Sequence, residues 1–447
     1  MPASIDASGL LADLIARARR AGADAADAML VESAGLSTTR RLGKLEKVER
    51  AEGLDLGLRV FIGRRQAIVA TGDLTGASLD RLIENALAIA RAVPEDRYAG
   101  LADADQIARD LPELDLDDGQ EPGAEALAEL AAAAEDAALA QPGITNSEGA
   151  EASWSRSHTT LVASNGFAGS TARSSHSLSA AVVASANGAM ERDYDFATVI
   201  RAKNLPDPAE LGRRAAERAT RRLNPRKVKS QSVPVVLDPR IAGGIVRHLA
   251  SAISGPAVAR GTTFLKDKLG ERIFPAGVTI VDQPLRPDGL RSRAFDAEGI
   301  AAAPRKLIDD GVLTTWLLDC AAARQLGLET TGHAARGVSS PPAPAPSNAW
   351  LEPGAITPED LISDIKEGIY VVEMLGMGIN YVTGDYSRGA AGFWIQDGAL
   401  GWPVSEITIA GNLIEMFQRL TPADDLEFRY GIDAPTLRID GMTVAGQ

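Results

Sequence analysis

GMGINYVTGDYSRGAAGFWIQDGALGWPVSEITIAGN, running from Gly376 to Asn412, carries eight glycines among charged and aromatic residues. Glycine clusters let one backbone approach another strand or a ligand closely, and apolar runs punctuated by glycine predict strands joined by tight hairpins. The region around this stretch is therefore β-rich. A structural reading makes it a series of hairpins and nothing more. A functional reading makes it an exposed strand edge that accepts an extended peptide by main-chain pairing. On that reading Gly378, Asn380, Thr383, Gly384, Asp385, Tyr386, Ser387, Arg388 and Gly389 are the candidate peptide-binding or interface residues.

Upstream, Thr357-Pro358-Glu359-Asp360 is a helix cap leading into LISDIKEGIYVVEML (Leu361 to Leu375), which is expected to be helical, with short strands after it. PPAPAP (Pro341 to Pro346) is expected as extended coil crossing a surface. VPVVLD (Val233 to Asp238) reads as a strand, followed by an apolar helix through Ile241, Ile245, His248, Leu249 and Ala252. Asp207-Pro208 with Glu210 starts another helix that runs to about Leu223. Residues 144–200 alternate small polar and apolar side chains around the turn dipeptides Asn165-Gly166 and Asn187-Gly188, and the Ala-rich run from Glu125 to Ala140 is helical. Before an acidic connector at 95–122, an amphipathic helix (Leu10 to Arg20) precedes extended pieces at Ala28–Glu32, Ser37–Arg41, Leu54–Phe61 and Gln66–Thr71, and a second helix follows from Thr75. The fold class is α+β in three domains: a small N-terminal α/β domain over 1–116, a central mixed domain over 117–228, and a larger β-rich C-terminal domain over 229–447.

A chain of 447 residues, 45% hydrophobic and 24% charged, has ordinary globular usage. Its net charge of −14 repels phosphate backbones, so no nucleic-acid partner is expected. The ten Lys and Arg residues between Arg201 and Lys229 read as the solvated face of a helix, since no aromatic residue is interleaved to stack bases. The N-terminus lacks the pattern of a signal peptide and no long uncharged apolar run occurs, so the expectation is a cytoplasmic protein without a membrane segment. Cys320, the single cysteine, is read as a buried hydrophobe. No phosphate loop, nucleophile elbow or dinucleotide fingerprint is present. His158, His176, His248 and His333 are too far apart in sequence for a paired-histidine zinc helix, and whether Asp238, Asp282, Asp296 and Asp385 pair in space cannot be read from spacing.

Val382-Thr-Gly-Asp-Tyr-Ser-Arg-Gly-Ala-Ala-Gly-Phe-Trp-Ile, then Gly398, Pro403-Val and Glu406-Ile-Thr-Ile-Ala-Gly-Asn-Leu, resembles the C-terminal signature of the TldD/PmbA peptidase family, formerly labelled modulator of DNA gyrase, in its PmbA (TldE) branch. Support extends through Arg59–Leu74, Leu249–Phe274 and Leu317–Ala334, so the resemblance covers essentially the whole chain. It implies a two-component zinc metallopeptidase in which a TldD-like partner binds zinc through H-E-x-x-x-H and a C-terminal cysteine. Against that motif this chain has His248-Leu249-Ala250-Ser251-Ala252-Ile253: the first histidine stays as a lone remnant, while Leu249 and Ile253 replace Glu and His. The resemblance therefore implies no catalytic residue, metal ligand or cofactor in this chain, zinc in the TldD-like partner, and short or unfolded peptides as substrates. A homodimer is possible when the partner is absent. Two alternatives stay open: an autonomous hydrolase built on Asp385, Ser387 and Arg388, and a non-enzymatic regulatory subunit.

Overall fold

The computed structural model describes residues 6–446; the first five residues and Gln447, which the sequence division places in the outer domains, lie outside them. Helix α1 (Ala7–Arg20) starts at Asp6, whose carboxylate accepts from the Gly9 amide. It leads into β1 (Ala25–Arg41), β2 (Lys44–Ile62), β3 (Arg65–Thr71) and α2 (Gly76–Ala92). The pieces expected at Ala28–Glu32 and Ser37–Arg41 are one strand of 17 residues and Leu54–Phe61 is part of one of 19, while Gln66–Thr71 is β3 as expected. Pairing carries through the polar run because cross-strand backbone bonds form whatever the side chains are.

After the acidic connector come α3 (Ala124–Leu139), β4 (Ile144–Ala163), β5 (Ala168–Ala186), β6 (Ala189–Val199) and α4 (Pro208–Arg221), the last capped by Asp207 as its sequence predicts. All six strands form one antiparallel sheet in the order β3-β2-β1-β4-β5-β6, with β1 paired to β4 from Asp27↔Ala163 to Arg40↔Ala150. One sheet thus runs through the segments on both sides of the connector.

The two-residue side-chain period gives this sheet two different faces. Ala26, Ala28 and Leu30 of β1 pack under α1 and α2, while Leu36, Ala152, Trp154 and Leu178 pack under α3 and α4. On the opposite face Met29, Leu161 and Phe167 meet Phe295, Ala297 and Val338 from the C-terminal half. Contact there is close: a Cβ on Gly57 would lie 1.9 Å from the Val338 carbonyl oxygen, so only glycine fits. Asp27 sits beside this contact, 2% exposed, directly across the ladder from Arg59. Its carboxylate accepts from Arg59 Nε at 2.8 Å and from an Arg336 guanidinium nitrogen at 2.7 Å. Burial alone would raise its pKa, but the Arg59 and Arg336 charges hold it below the usual carboxylate range.

The C-terminal half begins with β7 (Gln231–Leu237), α5 (Pro239–Ala252) and α6 (Gly255–Ala259). Short elements follow: β8 (Ile280–Asp282), β9 (Arg305–Asp309), β10 (Val312–Leu313), α7 (Cys320–Leu326), β11 (Ala334–Ala335), β12 (Ala343–Pro344), β13 (Ala349–Leu351) and α8 (Pro358–Ile362). The polyproline stretch holds β12, which pairs with β11. The chain ends with β14 (Glu367–Ile379), β15 (Asp385–Gln396), β16 (Ala399–Asn412), α9 (Leu413–Gln418), β17 (Leu420–Pro422), β18 (Ile432–Asp433) and β19 (Leu437–Ala445). The large sheet has the order β16-β15-β14-β7-β19-β17, and β19 also pairs with β16, closing it on itself around a core that includes α5, Phe274 and Phe417.

The helix expected over Leu361–Leu375 stops at Ile362, and Glu367 onward is strand, not helix. Thr357 does cap a helix, accepting from the Asp360 amide at 3.1 Å. Beyond it, Ile369 and Val371 pair in parallel with Val235 and Leu237, a fully buried central position that β-branched side chains fill well. The strands that follow are also longer than expected, at 13, 12 and 14 residues for β14, β15 and β16.

Replacing Asp27 by Ala strands two buried guanidinium groups without a counter-charge, so the variant is expected to lose about 3–5 kcal/mol in urea unfolding at pH 7. The carboxylate's contribution is present at neutral pH and is lost as pH falls through its lowered pKa, so the gap between wild type and variant should narrow in acid. A loss below about 1 kcal/mol at pH 7 would mean that the pair of arginines does not need Asp27.

Candidate functional site

Helix α5 and its C-cap carry His248, Leu249 and Ile253, the residues that the resemblance sets against the H-E-x-x-x-H motif. Asp238 caps it by accepting from the Arg240 amide at 3.0 Å, and Pro239 fits the first turn. Its inner face buries Ala242, Ile245, Val246, Leu249 and Ala252, and His248 lies on the same side, 8% exposed. His248 Nδ1 is 3.0 Å from the Tyr381 hydroxyl, and the Tyr386 ring meets the imidazole edge-on with centroids 5.7 Å apart. Burial first, then the positive charges of Arg388 and Arg247, pull the imidazole down to about 4, so it is neutral at pH 7. Leu249 and Ile253 are fully buried in the large apolar core. Among the described residues no group of three or more His, Cys, Asp or Glu side chains is placed to hold a metal ion.

The glycine-rich candidates lie on the β14–β15 hairpin opposite α5, and the strand period separates them. Tyr386 is buried and Arg388 half-buried on the side of His248, whereas Asp385 and Ser387 point outward and are exposed. Asn380, Thr383, Gly384 and Asp385 build the hairpin turn. The Asn380 amide donates to the Asp385 carbonyl at 2.9 Å, the Gly384 amide to the Asn380 carbonyl at 2.7 Å, and the Thr383 hydroxyl to the Asp385 carboxylate at 2.6 Å. A Cβ on Gly378 would stand 2.2 Å from the Ser387 carbonyl oxygen, so the close approach that this glycine permits is to its own partner strand. Gly389 pairs with Leu375 on one side and Thr408 on the other. The buried Tyr386 hydroxyl donates to Met374 Sδ at 3.1 Å; burial, opposed by Arg388, pushes its proton up to about 12.

The other chemical side chains are each tied into separate contacts. The Cys320 amide donates to Glu298 Oε2 at 2.8 Å, and burial with the nearby Glu298 charge pushes the thiol's pKa up strongly, as for a packing residue. Asp282 accepts from the Ser347 amide and hydroxyl, each at 2.6 Å, with His333 Nε2 at 3.3 Å. Asp296 accepts from three backbone amides. His158 meets Glu32 at 3.2 Å and His176 meets Asp118 at 2.9 Å. The basic run after Arg201 is not a free solvated face: Arg214 and Arg218 reach Asp195 of β6 at 2.7 Å each, and Arg222 reaches Glu373 at 2.5 Å. Helix packing against an acidic strand neutralises what the sequence displays as a charge run.

Sequence reasoning missed Tyr381 as the partner of His248 and Arg240 as a second cation on Asp193, because 133 and 47 residues separate these pairs and no local spacing signals them.

Family models for the PmbA/TldA metallopeptidases match three parts of the chain: domain 1 over residues 26–90, the central domain over 117–223 and the C-terminal domain over 230–446. Metalloprotease PmbA of Escherichia coli O157:H7 is 38% identical over 427 residues, covering 95% of this chain and 93% of that protein. The Metalloprotease PmbA homolog of Haemophilus influenzae is 36% identical over 436 residues, covering 96% and 94%. Among solved structures, a candidate modulator of DNA gyrase from Bacteroides thetaiotaomicron superposes with a TM-score of 0.91 at 28% identity over 99% of this chain and 100% of that one. TldE from Thermococcus kodakarensis shares the fold, with a TM-score of 0.87 at 21% identity over 98% and 100%.

A buried imidazole that protonates near 4 when folded and near 6.5 when unfolded adds stability that is complete above about pH 6.5 and is lost as pH falls through that window. His248→Gln should therefore remove a pH-dependent component of up to about 3 kcal/mol. The measurement is the difference between wild-type and variant unfolding free energies at pH 7 and pH 4.5; a difference that does not change with pH would show that His248 is not held neutral.

Proposed function

Because the chain belongs to the PmbA/TldD metallopeptidase family, we propose that it is the PmbA/TldE-like subunit of a two-component zinc metallopeptidase, acting on short or unfolded peptides in maturation and proteolysis, and that the zinc chemistry belongs to a TldD-like partner. One observation carries this reading: the position of the family's metal helix holds a single neutral imidazole already engaged by Tyr381, followed by Leu249 and Ile253 sealed in the core. This set does not fit a zinc ion, which needs three protein donors around an open position and a carboxylate able to take a proton from bound water. A leucine cannot act as general base, and one histidine supplies little of a metal's binding free energy. No hydrolytic step is assigned to this chain.

Neither alternative is favoured by a specific contact. An autonomous hydrolase on Asp385, Ser387 and Arg388 is opposed by the strand period, which sends Ser387 and Arg388 to opposite faces. A purely regulatory role finds no dedicated feature. Among the described residues no helix is long and apolar enough to cross a membrane.

The deciding experiment measures zinc content and peptide cleavage for the purified chain, for a TldD-like protein and for the two co-expressed. The expected result is negligible zinc and cleavage in the chain alone and both in the mixture. Stoichiometric zinc with chelator-sensitive cleavage by the chain alone would overturn the proposal.

A further inference from the structure

Strand β2 is covered by β3 only from Leu56 to Ile62, although its pairing with β1 runs on to the turn at Lys44. Among the described residues no backbone group from Lys44 to Gly53 bonds outside the ladder to β1, so this length of the strand is an open edge. An open row of N–H and C=O groups is a template for another strand, and no proline stands here to block it. Every residue from Lys44 to Glu52 is exposed, Leu45 and Val48 at 58% and 48%. The arm is nevertheless held in place: the Leu42 and Gly43 amides of its turn donate to the buried Glu135 carboxylate of α3 at 2.8 and 3.0 Å.

Along this edge the side chains read Lys44-Leu-Glu-Lys-Val-Glu-Arg-Ala-Glu52, three cations and three carboxylates in a protein whose net charge is −14. When two copies of one strand pair antiparallel about a two-fold axis, a register centred on a residue keeps outward-facing backbone groups opposite each other. Centred on Val48, that pairing sets Lys47 against Glu49 and Glu46 against Arg50, carries Lys44 toward Glu52 and lays Val48 on its own copy. Every charged pair is then opposite in sign. Centred one residue earlier, Lys47 meets Lys47 and Lys44 meets Arg50; centred one residue later, Glu49 meets Glu49 and Glu46 meets Glu52. Like charges directly opposite destabilise a ladder, so the sequence selects the Val48 register. The ladder to β1 shifts by one residue at Glu46, which leaves the pairs made by Lys47, Val48 and Glu49 as the regular centre. In this register the Leu42-Gly43 turn of one copy falls near Gly53 and Leu54 of the other, just short of Leu56, where β3 begins to cover the strand. Within one chain Lys47 lies 2.6 Å from Glu49, and Arg50 reaches Glu52 and Glu121 at 2.9 and 2.8 Å, all exposed pairs that exchange partners at little cost.

We propose that this edge is a self-association surface, on which β2 pairs with β2 of a second copy of the chain in the Val48-centred register and joins the two six-stranded sheets into one. The inference stands apart from the peptidase-subunit reading. Main-chain hydrogen bonds supply the attraction, and the charge pattern supplies the choice of partner and register. A contact of this length makes a reversible dimer, below the size of permanent interfaces.

Analytical ultracentrifugation of the full chain over a range of concentrations is expected to show a monomer–dimer equilibrium. Lys47→Glu and Glu49→Lys, each alone, set like charges opposite each other twice and should weaken the dimer about tenfold. Mixed in equal amounts, the two variants restore opposite signs and should regain the wild-type affinity as a heterodimer. The contact between Lys47 and Glu49 within one chain cannot produce that rescue, because neither variant holds it. Val48→Cys should cross-link into a disulfide dimer under mild oxidation, since directly opposed Cα atoms about 4.5–5.5 Å apart suit a disulfide. Ala51→Cys, about 20 Å from its own copy in this register, should not. A chain that is monomeric at every concentration, a mixture no tighter than its components, or Ala51→Cys cross-linking as readily as Val48→Cys overturns the proposal. A chain that stays monomeric and covers this edge only when a TldD-like protein is added overturns it as well and gives the edge to that subunit.

Discussion

A carboxylate taken fully out of water must find cations or lose its charge, and Asp27 finds two from distant parts of the chain. Arg59 stands opposite it on the neighbouring strand, and Arg336 arrives from the C-terminal half, 309 residues away. The triad fixes how the C-terminal half sits on the first sheet. Packing around it is apolar and close, through Met29, Phe167, Phe295 and the Val338 carbonyl over Gly57. The clefts between β6 and the C-terminal half are a consequence of that orientation.

The region around His248 shows how burial and neighbouring charge set the state of a single imidazole. The histidine faces the glycine-rich hairpin, where Tyr381 takes its Nδ1 and Tyr386 covers its ring. The positive charge nearby belongs to Arg388 and Arg247, which disfavour a second cation and keep the imidazole neutral. Apolar side chains at 249 and 253 then cost nothing and fill the core beneath α5.

Acidic strand residues organise the basic helix in a comparable way. Asp193 and Asp195 are both 2% exposed and draw in Arg214, Arg218, Arg222 and Arg240. These contacts tie α4 and the start of α5 to the inner face of β6 and leave its outer face to Tyr194, Phe196 and Thr198. The strand is thus anchored on one face by ion pairs, and the same two aspartates also accept from its Tyr194 and Phe196 amides.

Much of the fold was legible in the sequence, because caps and periodicity are local physics. Asp207 and Thr357 start helices where their spacing says, and the alternation over 144–200 becomes β4 to β6. The apolar residues at 249 and 253 are likewise plain in the letters, and so is the family likeness. Local pattern failed where tertiary burial overrode it: Ile369 to Val372 reads as helix after a cap, but parallel pairing with β7 makes it strand. Partnership across the chain was beyond reach, since nothing in sequence spacing joins Asp27 to Arg336 or His248 to Tyr381. The sequence by itself determined where most helices start, where the alternating strands run and which family the chain belongs to, because those depend on neighbouring residues and on side-chain identity. Only the tertiary structure decided which charges meet and which side chains share a core, because long-range contacts are set by how the sheets pack.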